Sequence, residues 1–171
     1  FGRDILARIV HGSRISLLIG LLSTFISVLG GALFGSIAGY YGGRVDGFIM
    51  RVSDVFMSIP AILLALAIVA ALGQGMMNLI IALSVTQIPA FSRLMRSSIL
   101  TIRESEFVEA ARAVGTSDRE IILRHIIPNT VGPLIVQATI SIASAIIAAA
   151  GLSYVGLGVS APMPEWGTML S

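Results

Sequence analysis

EAARAVG at residues 109–115, followed after nine residues by HIIP at residues 125–128, is the stretch around which the chain is organised. It belongs to the most highly charged part of an otherwise apolar sequence. Residues 105–114 have the apolar spacing of an amphipathic helix. One face of that helix carries Phe107, Ala110, Ala111 and Val114.

Two turn signals follow this helix. Gly115 suits the left-handed conformation that often ends a helix. Ser117 and Glu120 have the spacing of a capping box, which starts a new helix. The stretch therefore predicts a helix, a tight glycine turn and a second short helix, lying in water between hydrophobic segments.

The rest of the chain is too apolar for a soluble domain. Hydrophobic residues make up 56% of it and charged residues 12%, and its mean hydropathy is +0.95; soluble domains carry about 25% charged residues. Residues 15–43, 55–92 and 125–164 carry no formal charge. Each run exceeds the roughly 20 residues that cross a bilayer as a helix. The composition predicts an all-α integral membrane protein.

The same composition excludes several kinds of site. All eleven basic residues are arginines, so a P-loop lysine and a Schiff-base lysine are both excluded. The absence of cysteine excludes disulfides and thiolate metal sites. No catalytic triad, HExxH or paired-carboxylate motif is present, and the net charge of +2 lies in water-facing segments. We therefore expect no enzyme activity, no cofactor or metal on this chain and no nucleic-acid partner.

Four membrane spans are predicted, at residues 15–41, 55–72, 76–91 and 130–157. A polar helix over residues 1–14 is expected to lie at the membrane interface before them. Pro60 kinks or restarts the second span, and the third is expected to continue as a helix through Arg103. Because the chain starts at Phe1 in mid-pattern, we expect a fragment open at both ends.

The connections between the spans are also predicted. Residues 42–47 form a polar loop and residues 73–75 a glycine turn. Residues 48–59 form an amphipathic helix in which Arg51 and Asp54 make an i,i+3 ion pair; the alternative is a functional aspartate in the membrane.

Small residues recur every four positions in the first span, at Ser23, Ser27, Gly31, Gly35 and Gly39. Such a stripe lets another helix approach closely in lipid. We predict a tightly packed partner helix there, with Ser27, Gly31, Gly35 and Gly39 as packing residues; the alternative is flexible glycines facing lipid.

The arginines orient these spans. Four spans place residues 42–47 and 92–127 on one side, and the 73–75 turn and both ends on the other. The first side carries seven arginines and the second three. By the positive-inside rule the loop at residues 92–127 is cytoplasmic.

The opening stretch resembles the cytoplasmic signature loop of binding-protein-dependent ABC importer permeases. That signature reads E-A-A-x-x-x-G, nine residues, then a hydrophobic pair ending in proline. It matches here at Glu109, Ala110, Ala111, Gly115 and Pro128. The family usually ends this loop in I-x-L-P, whereas this chain has His125 and Ile127 at the two hydrophobic positions.

Flanking segments resemble the dipeptide, oligopeptide and nickel branch of that family. They are FGRD at residues 1–4, YYGGRVD at 40–46 and GLSYVGLG at 151–158, followed by Pro162 and by PEWG at 164–167. The resemblance covers essentially all 171 residues. It implies a partial type I permease domain that lacks the first of about six spans, the outer loop after it, and the last span.

The resemblance also implies a role for residues 103–128. In the family this loop docks into a groove on a cytoplasmic ATPase subunit, and an amphipathic helix in a groove fits the observed spacing. The implied coupling residues are Phe107, Glu109, Ala110, Ala111, Arg112, Gly115 and Pro128. Glu109 would accept hydrogen bonds from the ATPase or from Arg112. Gly115 would set the angle between the helices, and Pro128 would end the second helix.

The implied protein is a permease subunit in a bacterial or archaeal inner membrane, importing peptides or similar small solutes. ATP and Mg would sit on the partner ATPase, and the other partners would be a second permease subunit and a periplasmic or extracellular solute-binding protein. Two alternatives stay open at this point. The helical pair could lie on the membrane surface, or the chain could belong to a secondary transporter or channel that ATP does not power. In the outer loop, Glu165 and Trp166 contact the binding protein, gate the outer mouth, or simply form an interfacial loop.

Overall fold

The computed structural model describes residues 5–159 and 163–170, and every regular element in them is helical. Residues 1–4 and Pro162, which carry part of the branch resemblance, lie outside the described residues. The elements in chain order are α1 (Ile5–Tyr41), α2 (Gly43–Met57), α3 (Ala61–Leu72), α4 (Met76–Arg103), α5 (Glu106–Ala113), α6 (Asp118–Glu120), a π-helix (Ile121–Ile126) and α7 (Ile127–Tyr154).

Three helical stretches in the described part of the chain are long and apolar enough to cross a membrane. They are α1, α4 and the uninterrupted helix Asp118–Tyr154. A fourth crossing results if α2 and α3, which are separated by a break of three residues, are counted as one span. The predicted all-α membrane fold is confirmed, with three spans, or four if the α2–α3 pair, which is bent by 87°, is one span.

The chain divides into two compact units. The first unit comprises Phe1–Ser27, Ile59–Gln87 and Thr139–Ser171. Its core is formed by side chains from α1, α3, α4 and α7, among them Ile19, Val69, Leu79, Ile80 and Leu152. These side chains are apolar and fully or almost fully buried, so hydrophobic packing holds this unit together.

The second unit comprises Val28–Ser58 and Ile88–Ala138. Its core includes large side chains of α4, namely Phe91, Met95 and Ile99. Residues of the charged stretch join the same core: Val108 and Ala111 from α5, and Ile121 and Ile126 from the π-helix. The charged stretch is therefore packed into a hydrophobic core of its own unit, along one side.

The glycines of the small-residue stripe lie against α4. A Cβ atom on Gly31 would stand 2.2 Å from Cβ of Phe91, and one on Gly35 would stand 2.4 Å from the carbonyl oxygen of Ser92. Real Cβ atoms essentially never come within 3.0 Å of such neighbours. Gly39 in turn lies beside Ile99. Because later residues of α1 meet later residues of α4, the two helices run parallel in this unit.

The serines of the stripe make a hydrogen-bonded contact in the first unit. Ser27 Oγ donates to the carbonyl oxygen of Ser84 at 3.1 Å, and Ser84 Oγ donates to that of Ser23 at 3.2 Å. All three hydroxyls are buried. Small polar side chains thus let the helix backbones come close and supply hydrogen bonds where no water is available.

Several predicted boundaries are correct. The third span continues as one helix to Arg103, the second is broken before Ala61, and the turn at residues 73–75 carries positive φ angles at Gly73 and Gly75. Helix α7 ends at Tyr154, just before the predicted glycine break. There the N–H of Gly156 donates to Ser153 and that of Leu157 to Leu152, which satisfies the last carbonyls.

Two predicted segments differ from the structure. The predicted polar loop at residues 42–47 is wrong, because α2 already begins at Gly43. The chain turns at Gly42 and Gly43, whose φ angles are 66° and 55°. The separate interfacial helix is also absent from the described residues, since α1 is continuous from Ile5. The polar residues there sit on the first turns of the same long helix and do not interrupt it.

Pro128 does not end a helix, which corrects the prediction made for it. It lies in the second position of α7, and the chain is helical from Asp118 to Tyr154. Proline lacks an N–H and its ring crowds the carbonyl four residues earlier. The wider π-turn over Ile121–Ile126 directly precedes it and provides a local adjustment of the kind that allows proline inside a membrane helix.

We predict that Gly35→Ala separates α1 from α4, because the new methyl group meets backbone atoms that cannot rotate away. The expected cost is about 1–3 kcal/mol of stability, measured as a lower melting temperature of the purified protein in detergent. Gly47→Ala is the matched control, since no atom lies within 4 Å of its added Cβ. Equal melting temperatures for the two variants would contradict the close contact.

Candidate functional site

Helix α5 begins almost directly after α4, with only residues 104 and 105 between them. Ser105 occupies the N-cap in extended conformation, and its Oγ donates back to the carbonyl of Ile102 at 2.5 Å. Glu106 and Glu109 stand in the first turn, where negative charge is favoured by the helix dipole. Local sequence therefore accounts for a new helix at this point.

The predicted apolar face of α5 divides into an inner and an outer part. Ala111 is 9% exposed and packs into the core of the second unit together with Val108, which is fully buried. Phe107 is 46% exposed and Val114 82%, and Ala110 between them is exposed as well. We call Phe107, Ala110 and Val114 the outer row. Ala111 belongs to the inner face, which corrects its predicted place beside the other three.

Gly115 makes the predicted turn after α5. Its φ is +82°, and no atom within 4 Å would obstruct a Cβ, so the backbone conformation is what requires glycine. Its N–H donates to the carbonyl of Arg112 at 3.0 Å, and that of Thr116 donates to Ala111 at 3.1 Å. This pair of bonds is the Schellman arrangement, which satisfies the end of α5 and reverses the chain.

Of the predicted capping box at the start of the second helix, only the hydrogen bond to the serine side chain forms. Ser117 is the N-cap of α6, and its Oγ accepts from the N–H of Glu120 at 3.4 Å. The carboxylate of Glu120 accepts instead from Arg124 Nη1 at 2.7 Å. A shallow groove beside α6 is lined by Ser117, Arg119, Glu120, Leu123 and Arg124. The groove is thus lined by charges of both signs and by the apolar Leu123.

The end of α1 is joined to this loop by polar contacts. The hydroxyl of Tyr40 donates to the carboxylate of Asp118, and the guanidinium of Arg112 lies 5.8 Å from the centre of the Tyr40 ring. Arg103 Nη1 donates to the carbonyl oxygen of Tyr40 at 2.9 Å, where a cation is favoured at the C-terminus of α1. Tyr40 therefore links α1, α4, α5 and α6 at one point.

The exposed Glu109 stands in no ion pair among the described residues. The predicted option that Arg112 serves as its partner is not realised, because Arg112 faces Tyr40. The predicted Arg51–Asp54 pair is also wrong. Asp54 accepts from Arg93 Nη2 of α4 at 2.5 Å, a partner 39 positions away in the sequence.

Sequence reasoning missed Tyr40, Arg103 and Asp118 as members of this site. Their partners lie more than 60 positions away in the chain, and no local spacing signals such contacts. The one available hint was composition, since Arg103 and Asp118 belong to the same charged segment. Tyr40 sits at the end of an apolar span and gives no such hint.

At residues 163–170 the predicted outer loop packs onto α1. Glu165 is fully buried, and its carboxylate accepts from Ser16 Oγ at 3.4 Å and from the N–H of Thr168 at 3.1 Å. Trp166 Nε1 donates to the carbonyl oxygen of Ile9 at 3.2 Å. The Glu165 side chain therefore holds the loop in place and is not presented at the surface.

Comparison with known families gives one match over most of the chain. The family described as binding-protein-dependent transport system inner membrane component matches residues 31–171. That range contains the outer row, the Gly115 turn and the whole helix Asp118–Tyr154.

Similar proteins include transport permeases from several bacteria. The dipeptide transport system permease protein DppC of Alkalihalophilus pseudofirmus is 48% identical over 171 residues, which are 100% of this chain and 56% of that protein. The di/tripeptide transport system permease protein DppC of Pseudomonas aeruginosa is 46% identical, and the glutathione transport system permease protein GsiD of Pectobacterium atrosepticum 45%, each over 99% of this chain and 56% of the relative. The chain spans just over half the length of these relatives.

Solved structures show the same fold. One inward-facing structure of the MetNI methionine ABC transporter aligns with a TM-score of 0.77, covering 99% of this chain and 89% of that one at 21% identity. A second crystal form aligns at 0.78 over 93% and 79% of the two chains, at 22% identity. At such identities the likeness is one of fold.

We predict that Gly115→Ala strains the turn between α5 and α6, because a left-handed conformation costs an ordinary L-residue about 1–2 kcal/mol. Residues 106–120 should then exchange their amide hydrogens faster, as followed by mass spectrometry. Gly115→Asn should have a smaller effect, since asparagine tolerates this conformation better. Unchanged exchange in both variants would contradict the requirement for glycine.

Proposed function

Since the chain belongs to the family of binding-protein-dependent transport system inner membrane components, we propose that it builds part of the solute path of an ATP-driven importer. The relatives are named for transport of dipeptides, di/tripeptides and glutathione. We extend that chemical class, short peptides and peptide-like solutes, to this chain. Family membership gives no support to a secondary transporter or channel.

The observation that carries this proposal is the outer row of α5. Large apolar side chains at positions 107 and 114 are exposed on a segment that also exposes Glu106, Glu109 and Arg112. The small side chain of Ala110 lies between them and permits a partner backbone to approach closely. Anchors at i, i+3 and i+7 are the spacing with which an amphipathic helix fills a groove. We assign this row, with Glu109 beside it, to docking on an ATPase subunit.

The ATPase belongs to a partner chain in this proposal. This chain contains no lysine for a P-loop, so ATP and Mg would bind the partner alone. The permease would break no bond and would convert movement of its partner into movement of its helices.

The attachment of α5 suits it to transmit force. Its inner face is buried through Val108 and Ala111, and Asp118 and Arg112 both contact Tyr40 at the end of α1. The chain then continues from Asp118 as one helix to Tyr154. A push on the outer row would therefore act on the end of α1 and on the start of a membrane helix, because rigid packing passes displacement on. Pro128 lies within this continuous helix and would move with it.

We further propose that residues 92–127 face the cytoplasm, as the arginine distribution favours. The parallel course of α1 and α4 in the second unit supports counting the arginines of both segments together, because the ends of both helices, at Tyr41 and Arg103, then reach the same side. The inner membrane location follows from the family and from the spanning helices.

A second permease subunit and a solute-binding protein complete the proposed assembly. Only 22% of the most apolar 18-residue stretch of Asp118–Tyr154 is buried within the chain, compared with 44% of the corresponding stretch of α4. Its exposed side chains include Val131, Ile135, Val136, Ile140 and Ile147. Such a face suits a partner helix or lipid. The binding protein is proposed from the family alone.

The docking proposal predicts that Ala110→Arg in the assembled transporter abolishes docking, because a long charged side chain prevents close approach. Coupled uptake and co-purification of the ATPase should both fall by about tenfold or more, as a lost hot-spot contact of about 2 kcal/mol implies. Uptake is measured in proteoliposomes with ATP inside.

The matched control is Ala113→Arg. Ala113 is also exposed on α5 but lies on the charged side of the helix, beside Glu106 and Glu109. This variant should stay within about twofold of the parent protein, the range of ordinary surface changes. Equal losses in both variants, or in neither, would contradict docking through the outer row.

The orientation predicts a labelling pattern. The chain contains no cysteine, so single cysteines can be placed at Glu104 and at Gln74, both exposed. In inside-out vesicles that contain one of these single-cysteine variants, a membrane-impermeant maleimide should label Glu104→Cys and spare Gln74→Cys. The reverse pattern in these vesicles would overturn the orientation.

A further inference from the structure

Three arginines on one face of α4 each reach a different part of the second unit. Arg93 meets Asp54 and Arg96 meets Asp46, both on α2. Arg103 donates to the backbone at the end of α1. A row of three such contacts on one helix ties α2 and α1 to the same rigid element.

The contact between Arg96 and Asp46 is the strongest of these. Nε donates to Oδ1, and Nη2 donates to Oδ2 at 2.5 Å, so the pair is bidentate. The side chains are only 30% and 16% exposed. The Arg93–Asp54 pair makes one bond between side chains that are half or more exposed. Bidentate, partly buried pairs hold geometry well, whereas exposed single contacts contribute little.

Helix α2 has little buried surface besides these ion pairs. Of its residues, all of which the structure describes, Ser53 is the only buried one. The hydrophobic core of the second unit contains no side chain from α2 among its described members. Val45, Phe48, Val52 and Val55 are exposed, whereas Ile49 and Met50 are partly buried. Apolar packing of α2 is therefore sparse, and the ion pairs with α4 make up a large part of its attachment.

Helix α4 connects α2 to α5. Its last residue, Arg103, is followed after two residues by α5, which carries the outer row. On the other side, α2 leads through the break before Ala61 into the apolar helix α3. Displacement of α5 would be carried by α4, and the ion pairs would make α2 follow it.

We propose that Arg96 and Asp46 are positioning residues for transport, which make α2 follow α4 when the ATPase moves α5. This inference rests on the proposed function. It assigns to the pair the conversion of ATPase-driven movement into solute movement, separate from docking itself. The pair lies outside the outer row, so losing it should leave the ATPase bound.

The test is Asp46→Asn in the assembled transporter, with uptake and ATP hydrolysis measured on the same proteoliposomes. ATPase co-purification and ATP hydrolysis should stay within about twofold of the parent protein. Solute imported per ATP hydrolysed should fall by about tenfold or more, as loss of a charge-assisted contact implies. A fold defect would lower both rates together with the yield and leave their ratio unchanged. An unchanged ratio overturns the inference.

Two further variants test whether the opposite charges of this pair are what matters. The exchange Asp46→Arg with Arg96→Asp restores opposite charges and should recover at least half of the parent ratio. Asp54→Asn, which removes the exposed single contact, should change the ratio by less than about twofold. Failure of the exchange, or an equal loss with Asp54→Asn, counts against the assigned role of Arg96 and Asp46.

Failure of the proposed function is distinguishable from failure of this inference. If the parent protein itself shows no ATP-dependent uptake, the proposed function fails before any variant is compared. If the parent is coupled and Ala110→Arg releases the ATPase while Asp46→Asn keeps the normal ratio, only the positioning role fails.

Discussion

The close approach of α1 and α4 at Gly31, Gly35 and Gly39 is the constraint on which the second unit depends. Any side chain at Gly31 or Gly35 would meet backbone or Cβ atoms of α4, so only glycine lets the helices lie this near. That proximity brings the ends of both helices together. Arg103 can then cap α1 through the carbonyl of Tyr40, and the Tyr40 hydroxyl can reach Asp118. The position of α5 and α6 thus follows from a packing distance set in the membrane helices.

Helix α5 combines two properties that usually conflict. It exposes the apolar side chains of the outer row, and it is still firmly held. The division of α5 into a buried face, with Val108 and Ala111, and an outer row resolves the conflict. Its turn at Gly115 and its polar contacts with Tyr40 fix the direction in which the outer row points. A partner that binds such a surface meets a preorganised element, which lowers the entropic cost of docking.

Sequence reasoning succeeded where the signal was local. Long uncharged runs predicted the spans. Gly115 predicted the turn and Pro60 predicted the break before α3, because each residue acts on the backbone within a few positions of its own. It failed for Pro128, since a neighbouring π-turn accommodates the proline. It failed for Asp54, since the nearest arginine in sequence, Arg51, is not the partner that packing supplies.

The sequence by itself determined that this is a helical membrane protein, where its helices turn, and which family its signature stretch resembles. These features depend on composition and on short-range backbone preferences. Only the tertiary structure decided that Ala111 faces inward while Phe107 and Val114 face outward. It alone paired Arg96 with Asp46 and Tyr40 with Asp118, across 50 and 78 positions. Those outcomes depend on which helices lie side by side, and helix packing is set by contacts far apart in the chain.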